Sequence, residues 1–363
     1  MESVEKKELA QHTLNEIFSQ PGCWETCLSK LAGSRALEAA AQVAKPGADW
    51  LFVGCGTSFY LAQAAAASFN HLGLRSLAVA ASELYLYPNL ILDPGRDYIP
   101  VVISRSGRTS EAIRAAQMLE RQHNLRTIAI TCADRQPLEQ SCSLTLKFLD
   151  ADEQSMVMTR SFTSMLLGLQ YLGATVSGND AFRRALNDLP RQVEALLKQM
   201  PPRLKLFADS RDPSDFVFLA HGPLFPIASE CMLKVTESSC SHAQVFHSLE
   251  FRHGPKSIAG PDTLITFLMS ETSYNAEVEL LEEMKALGAV TMAIANRVEK
   301  RVRRAADLVI ELGLGGPEYA LPPAFVIWGQ LLGAYYGIKK GLDPDAPRNL
   351  SRVVELGPLV GGI

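Results

Sequence analysis

The sequence predicts an α/β protein built as two doubly wound parallel-sheet domains in tandem, each with about five strands. Three observations carry this. Short apolar runs alternate with helical patterns of ten or more residues, which is how a parallel sheet covered by helices reads in sequence. The pattern then recurs: residues 52–56 slide onto 218–222 with a shift of 166, and Ile103 slides onto Leu268 with a shift of 165, which points to an internal duplication. Finally, the apolar run Val101-Val102-Ile103 stops at Ser104-Arg105-Ser106-Gly107-Arg108-Thr109-Ser110-Glu111 and passes at once into a helical pattern, giving buried strand, tight turn and helix N-terminus.

The elements follow in order. Helical periodicity dominates 6–44, with Pro21 expected to separate two helices. A strand at 50–53 leads through the loop Gly54-Cys55-Gly56-Thr57-Ser58 into a helix over 59–72. Strands are expected at 76–80, about 99–104, 126–131 and, shorter, 144–148, with helices at about 108–123 and 159–175. The second half gives strands at 215–219, 263–269, 290–295 and 308–310, and helices at 226–238, 276–287 and 320–337. The expected organisation is a helical segment over 1–45, a first domain over 46–200 and a second over 201–363 with a C-terminal tail. The seam falls near Met200-Pro201-Pro202-Arg203.

Composition narrows the function classes. The 363 residues are 47% hydrophobic and 20% charged, with a formal net charge of −4, as expected of a soluble globular chain with no nucleic-acid partner. The charged start, residues 1–8, has no apolar stretch and does not read as a secretory signal. The longest apolar runs, around 62–67 and 321–328, are too short or interrupted to span a bilayer. The seven cysteines are odd in number and scattered, with no Cys-x-x-Cys, which suits reduced thiols in the cytoplasm.

The hydroxyl-rich turn is the first candidate site. A helix N-terminus offers unpaired N–H groups and positive potential. Ser104, Ser106 and Thr109 add donors there, and Gly107 lets the backbone come close. With no Gly-Lys-Ser/Thr it is not a nucleoside-triphosphate loop; it suits the monophosphate of a small metabolite. The alternative is a turn whose hydroxyls only cap the helix. The second copy reads Met269-Ser270-Glu271-Thr272-Ser273-Tyr274-Asn275, without glycine and with a carboxylate that would repel phosphate, so one phosphate site per chain is expected.

Two further groups could do chemistry. Glu230, Lys234 and Glu237 share one helix face, at i, i+4 and i+7; spacing alone favours a solvated charged face. The segment 241–256 carries His242, His247 and His253 and ends in His253-Gly254-Pro255, which leaves His253 on a loop where an imidazole could serve as acid or base. The histidine spacings of five and six fit neither a helical pair nor a zinc knuckle, so no metal is expected.

Together, Val53-Gly54-Cys55-Gly56-Thr57-Ser58, Ser104-Arg105-Ser106-Gly107-Arg108-Thr109, Glu230-x3-Lys234-x2-Glu237, Phe251-Arg252-His253-Gly254-Pro255 and Arg348-Asn349-Leu350-Ser351 resemble the sugar isomerase (SIS) family, from about residue 30 to 356. The likeness is to the isomerase half of glucosamine-6-phosphate synthase and to amino-sugar-phosphate deaminases on the same tandem. It implies flavodoxin-like domains, a homodimer, cofactor-free chemistry and a hexose or hexosamine 6-phosphate ligand. It also implies that Ser58, Ser104, Arg105, Ser106 and Thr109 hold the phosphate, while Cys55, Gly56, Thr57, Met158, Glu230 and Arg352 line the sugar. Glu237 would move a proton between C1 and C2. His253 would open the ring, matching a histidine that in relatives reaches in from the neighbouring subunit. Lys234 would support.

Departures from the family pattern shape the expected reaction. The sequence has no glutaminase segment and no Cys at position 2, so ammonia from glutamine is not expected. Where the synthase tail carries a Schiff-base lysine, this chain has Arg352, which cannot form one because guanidinium stays protonated. Arg352-Val353-Val354 and the run Phe251-Arg252-His253-Gly254-Pro255-Lys256-Ser257 are similar to the galactosamine-phosphate deaminase branch. Met158 and Arg160 replace an expected serine and lysine, which bears on the sugar recognised. The expected activity is therefore aldose–ketose isomerisation of a hexosamine 6-phosphate with release of ammonia. Plain phosphosugar isomerisation and fructosamine 6-phosphate cleavage are the alternatives among enzymes, and a non-catalytic sugar-phosphate-binding regulator is the alternative of another class.

Overall fold

A computed structural model describes residues 9–357; residues 1–8, read above as no secretory signal, lie outside the described part. Helices α1 (Gln11–Phe18), α2 (Gln20–Leu31) and α3 (Arg35–Gln42) precede the first sheet. Pro21 does not separate two helices: it sits in the first turn of α2, where its missing N–H costs no bond, and the break falls at Ser19.

The first half is β1 (Asp49–Gly54), α4 (Thr57–His71), β2 (Ser76–Ala80), α5 (Ala81–Leu86), α6 (Pro88–Ile91), β3 (Tyr98–Ile103), α7 (Ser110–Arg121), β4 (Ile128–Thr131), α8 (Pro137–Ser141), β5 (Leu144–Lys147) and α9 (Arg160–Val176). Helices α10 (Asp180–Gln199) and α11 (Pro201–Asp209) lead to the second half. That half is β6 (Asp215–Ala220), α12 (Phe225–Ser239), β7 (His242–His247), β8 (Thr263–Met269), α13 (Tyr274–Ala286), β9 (Val290–Ala295), α14 (Lys300–Ala305), β10 (Leu308–Glu311) and α15 (Pro322–Lys339).

Every strand pair is parallel, in the orders β2-β1-β3-β4-β5 and β7-β6-β8-β9-β10. The two sheets are wound identically, with the order reversing at β1/β3 and β6/β8, where doubly wound sheets present ligands at the carboxyl ends of their strands. Strand ends give a single shift: Gly54 matches Ala220 and Ile103 matches Met269, both 166 residues on. Met269 therefore replaces Leu268 as the counterpart of Ile103. The fifth strand of the second sheet, β7, lies in a segment to which the sequence patterning assigns no element. Its half-exposed residues mark an edge strand with little apolar signal.

The compact units are not continuous in sequence. Among the described residues, one gathers 9–21, 153–159 and 191–350; the other gathers 22–152, 160–190 and 351–357. Each has its own core. Leu51, Val53, Val102, Ala112, Leu119 and Ala129 pack in the unit of the first sheet, and Val217, Leu219, Phe251, Phe267, Leu281 and Ala293 in the unit of the second.

Candidate functional site

In the first sheet's unit, β1 delivers Cys55 and Gly56 to the turn, and Gly56, at φ 52°, caps α4. Thr57 and Ser58 begin that helix and are buried. Cys55 is half-buried; burial, with the Glu111 carboxylate adding, pushes its thiol up to about 12, so it stays protonated at neutral pH. The hydroxyl loop follows β3. Ser104 Oγ lies 3.0 Å from Thr109 Oγ1, and the Arg108 N–H donates to Ser106 Oγ at 3.2 Å. Thr109 stands at the N-cap of α7 without capping it through its side chain, so the helix-capping reading does not hold for this residue. Arg105 is buried, and its carbonyl accepts from Thr131 Oγ1 and the Cys132 N–H, both at 3.0 Å. Gly107 has φ 64°, and a Cβ there would meet Gln136 Cβ at 2.7 Å, so only glycine fits the turn.

The tail bears on the same helix end. The Ser110 N–H donates to the Val354 carbonyl (3.2 Å), the Leu356 N–H to Ser110 Oγ (2.9 Å), and Arg108 pairs with Glu355 (2.5 Å). One of the α7 terminal amides is thus already engaged. Arg352 pairs with Asp152 at 2.8 Å on the surface of this unit.

In the second sheet's unit, α12 carries Glu230, Lys234 and Glu237. The structure corrects the expectation of a solvated face: Glu230 and Lys234 side chains are 0% and 1% exposed, and Glu237 keeps 19%. Lys234 Nζ is 3.2 Å from Glu230 Oε1 and 2.6 Å from Glu237 Oε2. Burial alone would drive the Lys234 ammonium to lose its proton, but the two carboxylates outweigh it and raise its pKa. The burial has a cause in α15, where glycines recur every fourth residue. A Cβ on Gly329, Gly333 or Gly337 would lie 2.3 Å from Cys231 Sγ, 2.6 Å from the Lys234 carbonyl oxygen or 2.3 Å from the Ser238 carbonyl oxygen. Without those side chains, α15 lies directly on the backbone of α12.

The three histidines of 241–256 take separate environments. His242 Nδ1 is 2.7 Å from Asp215 Oδ1, the His247 ring stacks on Phe225 with centroids 3.7 Å apart, and His253 is exposed on the loop beyond Arg252. The His253 side chain takes no hydrogen bond or ion pair among the described residues. His221 accepts from the Leu249 N–H at Nε2 (3.2 Å), and burial, then the neighbouring His247, holds its pKa down. At the carboxyl ends of β8 and β9 a cavity of about 480 Å3 is lined by Glu271, Asn296, Arg297 and Glu299, among others. Its two carboxylates set it apart from the hydroxyl loop.

Met158 is half-buried in 153–159, and two buried carboxylates hold that segment. Glu16 accepts from the Gln154 N–H (2.5 Å) and from Ser155, and Glu153 accepts from the Thr159 N–H (2.6 Å) and Oγ1 (2.8 Å). Sequence reasoning missed both, since a lone Glu in a helix or loop carries no periodic signal. It also missed Glu277, which is buried and accepts from Ser248 Oγ (2.7 Å) and the Ser270 N–H (3.0 Å). The duplication could have flagged it, because Glu277 is the counterpart of Glu111 at the shift of 166.

Two sheets wound alike, one edged by a hydroxyl turn and the other backed by a buried acid–base–acid trio, define a tandem doubly wound α/β protein. The chain belongs to the SIS domain family, whose model matches residues 49–173 and 211–331. Among curated relatives, the glutamine--fructose-6-phosphate aminotransferase [isomerizing] of Thermococcus kodakarensis is 27% identical over 98% of this chain and 59% of its own length. The D-galactosamine-6-phosphate deaminase AgaS of Shewanella sp. (strain ANA-3) is 28% identical over 94% of this chain and 90% of its own. The chain therefore spans under two thirds of the aminotransferase relatives but nearly all of the deaminase. Among solved structures, glucosamine-6-phosphate deaminase from Thermotoga maritima superposes with a TM-score of 0.77 at 26% identity, covering 95% of this chain and all of that one. Tagatose-6-phosphate ketose/aldose isomerase from Escherichia coli gives 0.83 at 21% identity, covering 96% of each, which speaks to the fold.

Proposed function

We propose that this chain is an amino-sugar-phosphate deaminase that isomerises a hexosamine 6-phosphate and releases ammonia. The observation that carries the reading is the burial of Lys234 against Glu237. A base that must take a proton from carbon needs a fixed position and limited water, and Glu237 has both while keeping an exposed edge. The near full-length match to a galactosamine-phosphate deaminase supports the choice of reaction.

The assigned roles follow the chemistry. Ser58, Ser104, Arg105, Ser106 and Thr109 anchor the 6-phosphate, and that remote anchor orients C1 and C2. The carboxylates around the second sheet's cavity argue for a single phosphate anchor, on the hydroxyl loop. Cys55, Gly56, Thr57, Met158, Glu230 and Arg352 are assigned to the sugar. His253 takes the anomeric hydroxyl proton and passes one to the ring oxygen, opening the ring to the aldehyde. Glu237 takes the C2 proton while water protonates O1, giving an enol-amine, and returns it to C1 while the nitrogen gives up a proton to water. The resulting ketimine adds water at C2 and expels ammonia, leaving the ketohexose 6-phosphate. This sequence needs no enzyme lysine, consistent with Arg352 in the tail.

We further propose that the enzyme works as a homodimer in the cytoplasm, with His253 serving the neighbouring subunit. The exposure of His253 and the seven free cysteines favour this. No helix among the described residues is long and apolar enough to cross a membrane.

The test is ammonia release from glucosamine 6-phosphate and galactosamine 6-phosphate by the wild type and Glu237→Gln. Release from one epimer, lost in the variant, is expected. No release from either, with exchange of the C2 hydrogen into solvent, would replace deamination by plain isomerisation.

A further inference from the structure

The loop carrying His253 is tied to its unit from both sides by one carboxylate. Upstream, Phe251 is fully buried, and Ser248 donates to the buried Glu277, so the chain is fixed up to the end of β7 and just beyond. Past Phe251 it leaves the core. The His253 N–H reaches only back to the Glu250 carbonyl (3.0 Å), and Gly254 takes φ 122°, a conformation that ordinary side chains resist. A turn held so lightly would let the imidazole wander.

We propose that Glu283 is a positioning residue for His253: one carboxylate oxygen takes Arg252 Nε at 2.8 Å, the other takes Lys256 Nζ at 2.9 Å, and the two bonds close the His253-Gly254-Pro255 turn against α13. This rests on the reading of His253 as the proton-transfer group. Arg252 and Lys256 carry like charges on either side of the turn and would push its ends apart. A single anion shared between them converts that repulsion into a clamp. Hydrogen bonds from Arg252 and then Lys256 hold the Glu283 carboxyl below its usual range, so the clamp is charged at working pH. Helix α13 is a firm base for it, since Val278, Leu281 and Met284 are buried in the core. The benefit is orientation: a misplacement of about 1 Å at a reacting group can cost on the order of a hundredfold in rate.

The experiment uses the full chain. Glu283→Gln keeps the shape and removes the charge. We expect kcat to fall about ten- to a hundredfold with KM within about twofold, Glu283→Asp to recover part of the loss, and amide exchange at residues 252–257 to quicken while β8 is unchanged. In a His253→Ala background Glu283→Gln should cost nothing further, because a residue acting only through His253 has nothing left to act on. Full kcat with wild-type exchange in Glu283→Gln would overturn the proposal, as would an undiminished loss in the His253→Ala background. A wild type inert toward every hexose and hexosamine 6-phosphate would instead sink the proton-transfer reading of His253; quickened exchange in Glu283→Gln would still support the clamp.

Discussion

Lys234 Nζ lies 2.6 Å from Glu237 Oε2, one turn apart on α12, and only Glu237 of that pair reaches solvent. The lysine is thus a buried counter-ion that holds the Glu237 side chain in place. Replacing one partner of such a buried pair strands the other's charge. Lys234→Met, which strands two carboxylates, should cost about 3–5 kcal/mol of stability in urea unfolding, and Glu237→Gln much less, because Lys234 keeps Glu230 at 3.2 Å. The second change should instead cut turnover about 10²–10⁴-fold. Equal stability losses in the two variants with turnover of Glu237→Gln unchanged would show that the trio is structural only.

The close approach of α15 to α12 is equally testable. Gly333→Ala would place a Cβ 2.6 Å from the Lys234 carbonyl oxygen, a contact that backbone cannot absorb without moving. We expect a loss of about 1–3 kcal/mol in thermal or urea unfolding. A variant as stable as the wild type would show that the helices can separate freely.

Glu277 should make stability depend on pH. Burial, opposed by hydrogen bonds from Ser248 and Ser270, raises its carboxyl from 4.5 to about 7. The folded state therefore keeps the proton up to about pH 7, whereas the unfolded chain releases it near 4.5. This group's contribution is complete below pH 4.5, declines as pH rises to 7 and is flat above, a change of about 3 kcal/mol. Glu277→Gln should remove that slope in unfolding measured between pH 4.5 and 7.5; an unchanged slope would assign it to other groups.

On the hydroxyl loop, Ser106→Ala removes one donor to the proposed phosphate without touching the proton-moving groups. A hydrogen bond to an anion contributes about 1.5–3 kcal/mol, so KM should rise about tenfold or more with kcat largely kept. Loss of kcat with KM unchanged would place Ser106 elsewhere in the chemistry.

Arg352→Met breaks an exposed pair with Asp152 and should shift stability by less than about 1 kcal/mol. If Arg352 lines the sugar as assigned, KM rises all the same; an unmoved KM would confine Arg352 to tethering the tail.

Much of this was legible in the residue order. Alternating apolar runs and helical periods define both sheets, because strand and helix periods are local properties of a chain. The repeat at 166 residues then links the halves, and Gly107 and the hydroxyls around it mark the anion-suited turn. Other features were not legible. Strand β7 is an edge strand whose residues alternate weakly, and Pro21 signals a helix start as readily as a helix end.

What the sequence determined by itself is the doubly wound duplication and the place of the hydroxyl-rich turn after β3. What only tertiary structure decided is which charges are buried. Glu230, Lys234 and Glu237 at helical spacing read as a wet face until the bare glycine edge of α15 covers them. Glu283, which no sequence pattern singles out, meets Arg252 and Lys256 only because the fold brings them to its two oxygens. Burial and ion pairing across long sequence separations depend on packing, and packing is a property of the whole chain, which no local window contains.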